Sequence, residues 1–234
     1  MIQLRSGKER GQADHGWLQS WHSFSFADYY APAQMGWGAL RVINEDYVAP
    51  GKGFGTHGHR DMEIVTVMLG GALQHKDSMG NGAVIEPWEV QYMSAGRGVM
   101  HSEFNPSPST TSHLLQIWIQ PAAPGGAPAY GQKRFDPAGR QGALQLLVSG
   151  DGRLGSIAIR QDADLFQAVL APGNPVTHTF APGRLGYLHV VRGALKAGGH
   201  ALVGGDALKL EGEATLTLAA EGDAEVLLFD LPSP

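Results

Sequence analysis

The chain has 234 residues, 43% of them hydrophobic and 17% charged, with 17 basic against 22 acidic side chains and a formal net charge of -5. That length buries one large core or two modest ones. The charge balance offers no broad basic footprint for nucleic acid or anionic membranes. With no cysteine in the chain, disulfides, thiolate ligands and cysteine nucleophiles are excluded, and any metal must be held by His, Asp, Glu or water.

The amino-terminal stretch MIQLRSGKERGQADHGWLQSW carries no apolar run of the signal-peptide kind, and no 18-residue apolar stretch occurs anywhere. A soluble, cytoplasmic protein is expected. The 33 glycines and 14 prolines imply many tight turns and few long helices. Short apolar runs recur between turn signals at 37–43, 64–69, 91–94, 114–119, 144–148 and 185–191, the spacing of an all-β sandwich or barrel. No window holds a helical stripe longer than about two turns, and 164–170 reads as a strand rather than a short helix.

The Pro-, Gly- and Ala-dense stretch 121–142 reads as a linker. The expected organisation is therefore a domain over 1–122, a linker over 123–142 and a second domain over 143–234. The second half repeats the grammar of the first: GALQHKDSMGNGAVIEPWEVQYM from Gly71 has a counterpart in GALKAGGHALVGGDALKLEGEAT from Gly193. Two similar β-units in tandem predict a duplicated barrel.

The chemistry concentrates in the first unit. His57-Gly58-His59 is answered some forty residues later by His101-Ser102-Glu103. Residues at i and i+2 share one face of a strand. Two such pairs on neighbouring strands bring three imidazoles and a carboxylate to one point, a donor set suited to a divalent transition metal. A lone His-x-His reads first as a pair of surface or core histidines; it is the second pair that turns the reading toward a metal. The second unit has no such pair, and His178, His189 and His200 are single histidines there.

These motifs resemble those of cupins. Gly51, His57, His59, Glu63 and Gly70 fall on the first cupin motif, and Gly98, His101 and Asn105 on the end of the second. The second motif departs upstream, with Ala95 near the usual proline-glycine turn and Trp88 after Pro87 where glycine is common. The strings WHSFSFADYY, GWGALRVINEDYVAPGKGFGTHGHRDMEI, HKDSMGNG and SAGRGVMHSE are similar to bacterial pirins of the quercetinase-like group, strongly over 12–120 and more weakly beyond. The resemblance implies two tandem cupin barrels. It also implies one metal in the first, iron favoured, with nickel, manganese, copper, cobalt or zinc as alternatives. Most cupins would nominate Glu63 as the acidic ligand. The pirin pattern instead implies His57, His59, His101 and Glu103, and strand parity agrees. A buried Glu63 then needs another partner, with Arg60 or His75 as candidates.

The implied activity is that of a quercetin 2,3-dioxygenase, opening the ring of a flavonol with dioxygen, and Glu103 is the expected general base. Phe24, Phe26, Trp37, Met79 and Trp118 are candidates for lining the pocket of a flat polyphenol, though all suit barrel packing as well. Gln116 shares parity with Trp118 on an apolar strand and needs a polar partner, a ligand-orienting role or a plain core hydrogen bond. Asp77-Ser78 and Asn81-Gly82 read as turn formers. The alternative from another class is a non-catalytic, metal-bearing pirin that regulates a protein partner through its surface. A cupin isomerase or a dioxygenase of another substrate is a third reading.

Overall fold

The computed structural model describes residues 1–233. Among them the regular structure is almost entirely strand, with three short 3-10 turns and no α-helix, and no helix is long and apolar enough to cross a membrane. The first half carries β1 (Ile2–Arg5), β2 (Gly11–Asp14), β3 (Leu18–His22), β4 (Leu40–Val48), β5 (Gly53–His59), β6 (Glu63–Gly70), β7 (Leu73–Asp77), β8 (Gly82–Ile85), β9 (Glu89–Ser94), β10 (Val99–Phe104), β11 (Ser112–Ile119) and β12 (Ala129–Arg134). The second half carries β13 (Gln145–Ser149), β14 (Ile157–Ala158), β15 (Asp164–Leu170), β16 (Val176–Thr179), β17 (Leu185–Arg192), β18 (Ala194–Ala197), β19 (His200–Val203), β20 (Ala207–Glu211), β21 (Thr215–Ala220) and β22 (Ala224–Leu231). The stretch 164–170, read as a strand, is β15.

Two compact units emerge. The amino-terminal unit comprises 11–36 and 40–135; the carboxy-terminal unit comprises 1–10, 37–39 and the chain from Asp136 onward. Each holds a seven-stranded and a four-stranded sheet, in the orders β12-β9-β6-β11-β4-β3-β2 and β5-β10-β7-β8 for the first unit. In the second the orders are β1-β20-β17-β22-β15-β13-β14 and β16-β21-β18-β19. The four-stranded sheets and the five inner strands of the larger sheets match in order, as a duplication requires, while the edges differ: β2 precedes β3 and pairs antiparallel, β14 follows β13 and pairs parallel, and β1 stands where the first unit has β12. Each unit is a cupin barrel. Central strands such as β6 and β22 read as continuous apolar runs because both their faces are covered.

The expected boundaries need correction. Residues 123–142 are not an irregular linker, because β12 lies within them and pairs with β9 from Ala129↔Ser94 to Arg134↔Glu89. Its backbone finds its partners in the sheet edge, which composition does not register. Likewise β1 pairs with β20 through Ile2↔Leu210 to Arg5↔Ala207, so the first residues serve the carboxy-terminal unit.

Local backbone chemistry confirms the repeat. Gly71 follows β6 with φ +68°, and a Cβ there would stand 2.7 Å from the Thr111 carbonyl oxygen. Gly193 follows β17 with φ +83°, and a Cβ there would stand 2.0 Å from the Asp223 carbonyl oxygen. Only glycine fits either turn.

Candidate metal centre

Three strands of the four-stranded sheet each contribute an i, i+2 pair to one place. On β5 these are His57 and His59, on β10 His101 and Glu103, and on β7 His75 and Asp77. Register aligns them. His101 lies opposite both His57 and Asp77, and Glu103 lies opposite His75, with a β-bulge between His101 and Glu103 on the β5 side. His101 Nε2 stands 2.9 Å from His59 Nε2 and 3.0 Å from His57 Nε2. Ligand atoms of His57, His59 and His101 fall within 4.8 Å of one another, as do those of His75, His101 and Glu103. The two clusters share His101.

The protonation pattern suits a cation. His57 Nδ1–H donates to the Gly55 carbonyl at 2.8 Å, which leaves its Nε2 lone pair free. His75 Nε2–H donates to Asp77 Oδ2 at 3.2 Å, so His75 Nδ1 is an acceptor, facing Gln91 Nε2 at 3.1 Å and His101 Nδ1 at 3.5 Å. His101 thereby carries its proton on Nδ1 and aims the Nε2 lone pair at the other two histidines. Burial, with His57 beside it, holds His59 down to about 4. Burial and the neighbouring His57, His59 and His75 hold His101 down to about 3, against a small opposing pull from Asp77. Neutral imidazoles with converging lone pairs repel one another unless a cation sits among them. A divalent cation among them would be held by these nitrogens, the donor type such ions take.

Glu103 is buried, and its carboxylate oxygens accept from Gln116 Nε2 at 3.2 and 3.3 Å. Thr66 Oγ1 donates to Gln116 Oε1 at 2.9 Å, which turns the amide nitrogen toward Glu103. Burial pushes the Glu103 carboxyl up to about 7; the Gln116 hydrogen bond opposes this and the charge of Asp46 adds to it. Glu63 stands apart from both clusters. It accepts from the Tyr92 hydroxyl and, at 2.6 Å, from Ser94 Oγ. Its partners are therefore neither Arg60 nor His75, because β6 and β9 place Glu63 opposite Ser94.

Beside the histidines opens a cavity of about 890 Å³, whose walls include His57, His59, Glu103, Gln116, Trp118 and Phe26. Its aromatic lining is built edge to face: Phe26 against Trp118 at 5.4 Å, Trp118 against His59 at 4.9 Å, and Trp17 against Phe54 at 5.3 Å. Of the side chains expected to line a pocket, Phe26, Gln116 and Trp118 do so, and Phe24 and Trp37 do not. Phe24 is wholly buried in packing. Trp37 donates its indole N–H to the Gly186 carbonyl at 2.9 Å and lies under Lys209 Nζ, both in the carboxy-terminal unit. Met79 is exposed in the turn after β7.

Sequence reading missed His75, Asp77 and Gln91 around the ligands, and Trp17 and Phe54 on the wall. The signal for the first two was present, since His75-x-Asp77 has the spacing of the other pairs. Asp77 also forms the expected turn, accepting from the backbone N–H of Met79 at 2.9 Å and of Asn81 at 3.0 Å.

One row of side chains ties these groups together. Cross-strand register runs Gln91↔Thr66↔Gln116↔Asn44↔His22 over β9, β6, β11, β4 and β3. All five residues are polar, and two of them touch the site: Gln91 at His75 and Gln116 at Glu103.

Comparison with known proteins agrees with this architecture. The profile of the Pirin family matches residues 3–119, and that of the quercetinase C-terminal cupin domain matches 146–231. A protein of Escherichia coli (strain K12) called quercetin 2,3-dioxygenase is 48% identical over 232 residues, covering 99% of each chain. A pirin-like protein of Caulobacter vibrioides is 42% identical over 231 residues, covering 98% of this chain and 99% of its own. The crystal structure of Escherichia coli YhhW superposes with a TM-score of 0.97 at 46% identity, covering 100% of this chain and 99% of that one. The structure of the same bacterial pirin in complex with nickel(II) gives a TM-score of 0.95 at 46% identity, with both chains covered entirely. A duplicated cupin barrel, the His57-x-His59 and His101-x-Glu103 pairs in its first copy and these matches over nearly its whole length make this chain a member of the pirin family.

Proposed function

We propose that this protein is a metal-dependent dioxygenase that opens a flavonol ring, with His57, His59, His101 and Glu103 as the metal's ligands. The observation that carries the reading is the convergence of the Nε2 atoms of His57, His59 and His101, with buried Glu103 in a second cluster that shares His101, beside an aromatic-walled cavity. At about 890 Å³, that cavity falls within the range of small-molecule sites, roughly 300 to 1,000 Å³. The match to a quercetin 2,3-dioxygenase at 48% identity supports the same substrate class.

A divalent cation held there supplies Lewis acidity to a coordinated hydroxyl and open positions beyond the protein ligands. Phe26 and Trp118 offer flat apolar faces for an aromatic substrate. Glu103 is placed to take the proton of the flavonol 3-hydroxyl, and Gln116, fixed by Thr66, orients the carboxylate for it. In the overall reaction both atoms of dioxygen enter the ring-opened ester, and the carbon bearing the 3-oxygen leaves as carbon monoxide.

The test is oxygen uptake by purified protein loaded in turn with nickel, iron, manganese, copper and cobalt. Uptake matched by loss of quercetin and release of carbon monoxide is expected with at least one of them. Absence of uptake with every metal and flavonol overturns the enzyme reading and favours a regulatory, protein-binding pirin.

A further inference from the structure

The polar row does not end at the ligands. Beyond Gln116 it continues through Asn44 to His22, away from Glu103, at about 5 Å per strand. Both side chains line the cavity, and each is only 4% exposed. Asn44 Oδ1 and His22 Nδ1 are buried without a hydrogen-bond partner among the described residues. Orphaned polar atoms of this kind are costly and persist where a ligand or water meets them. Beside them Asp46, also buried and cavity-lining, accepts from Ser20 Oγ.

The fold does not demand polarity at these positions, because the carboxy-terminal unit supplies its own comparison. The equivalent register runs Leu208↔Leu188↔Leu228↔Phe166↔Leu146. Phe166 stands where the first unit has Asn44, and Leu146 where it has His22. One barrel thus fills this row with hydrocarbon, and the other leaves polar atoms facing a void.

We propose that Asn44 and His22, with Asp46 beside them, form a hydroxyl-binding subsite that reads the phenolic O–H groups on the substrate ring lying away from the metal ligands. The subsite rests on the flavonol reading above and names the feature of the flavonol it selects. Its chemistry is acceptor-rich. Asn44 Oδ1 and the Asp46 carboxylate accept only, and His22 Nδ1 accepts in one of its neutral tautomers. Such a wall takes neutral O–H donors, and the Asp46 carboxylate beside it turns away sulfated or carboxylated phenols. A pendant ring with adjacent hydroxyls satisfies two acceptors at once.

The test uses the full chain loaded with nickel and three flavonols that differ only in the pendant ring: galangin with no hydroxyl there, kaempferol with one, quercetin with two. Dissociation constants are measured by titration, without turnover, in an oxygen-free cell. Affinity is expected to rise from galangin to quercetin by about tenfold, the effect of one or two net hydrogen bonds. In Asn44→Leu and in His22→Leu the ratio should fall toward one, with folding checked by thermal melting. Equal affinities in the unmodified protein overturn the subsite whatever the variants do, and leave the flavonol reading standing. A preference that survives in both folded variants overturns it as well. Failure of all three flavonols to bind overturns the flavonol reading, and the subsite with it.

Discussion

The two barrels share the order of their inner strands and a turn grammar but differ in what fills them. In the carboxy-terminal unit, Leu216 and Leu218 on β21 join Leu188, Leu208 and Leu228 in one buried cluster. In the amino-terminal unit, the corresponding β10 carries His101 and Glu103, and the row beneath them is polar. His178, opposite Leu216 as His57 is opposite His101, is spent on Asp230 at 2.8 Å. A cupin barrel is therefore built readily around a hydrocarbon interior, and the fold does not require the polar groups inside the first copy. Each large apolar side chain fully buried in the second contributes about 1.5 to 3 kcal/mol, stability the first unit forgoes along its row.

The largest effect should come from breaking the chemistry while keeping the ligand shape. Glu103→Gln retains an oxygen for the metal but no proton acceptor. Its turnover is expected to fall by about a hundred- to ten-thousand-fold, while metal content measured in parallel stays substantial at saturating ion. Wild-type turnover in that variant places the proton acceptor elsewhere.

Next comes the support behind the ligands. Ala197 on β18 lies opposite Leu218 as His75 lies opposite Glu103, so His75→Ala copies the second unit at that position. Losing the acceptor that fixes the tautomer of His101 should weaken metal affinity by about 10- to 100-fold. Competition against a chelator reads this directly, and unchanged affinity would make His75 a packing residue only.

A pH effect of intermediate size follows from Asp46, whose counterpart by register is the buried Ala168. Burial raises its carboxyl from 3.8 to about 6, helped by Glu45 and opposed by Ser20 and His113. The folded state therefore holds this proton more tightly than the unfolded chain. Its contribution to stability is present below about pH 4 and is lost as the pH rises to about 6, on the order of 2 kcal/mol. Denaturant midpoints at pH 4.5 and 6.5 should show that loss in the unmodified protein and a smaller one in Asp46→Asn. Identical slopes would contradict it.

The smallest effect concerns the repeated turn before β9 and β20. Glu89 N–H donates to the Glu86 carbonyl at 3.0 Å, and Asp206 N–H to the Val203 carbonyl at 3.0 Å. Both turns put their third residue in the left-handed region, Gly205 at φ +89° and Trp88 at φ +73°. A side chain there costs about 1 to 2 kcal/mol. Trp88→Gly should recover up to about 1 kcal/mol net of lost contacts, a melting rise of about 2 to 4 °C. A fall in melting temperature would mean the indole contacts outweigh the strain.

Much of this was readable before the fold was known, for physical reasons. Period-two parity puts His57 with His59 and His101 with Glu103, and β-branched runs between glycines mark β6 and β17. Trp88, at a position where cupins favour glycine, proved to adopt the conformation that glycine suits. What stayed hidden depends on partners distant in sequence. β12 is a strand because β9 lies open beside it, not because Ala-Tyr-Gly-Gln-Lys-Arg prefers extension. Trp37 reads as pocket lining until Gly186 and Lys209 claim it. His75-x-Asp77 was masked by the Ser-Met-Gly-Asn-Gly turn that follows. The polar row was invisible for the same reason, since its five members come from five strands aligned only by register.

Metal stoichiometry decides whether one barrel carries the chemistry and the other only the fold. Purified protein is titrated with nickel, freed of excess and analysed for bound ion, beside the His101→Leu variant, which copies Leu216 of the second barrel. One ion per unmodified chain and nearly none in the variant are expected. Close to two ions per chain, or a folded His101→Leu protein that keeps its full load, would contradict this.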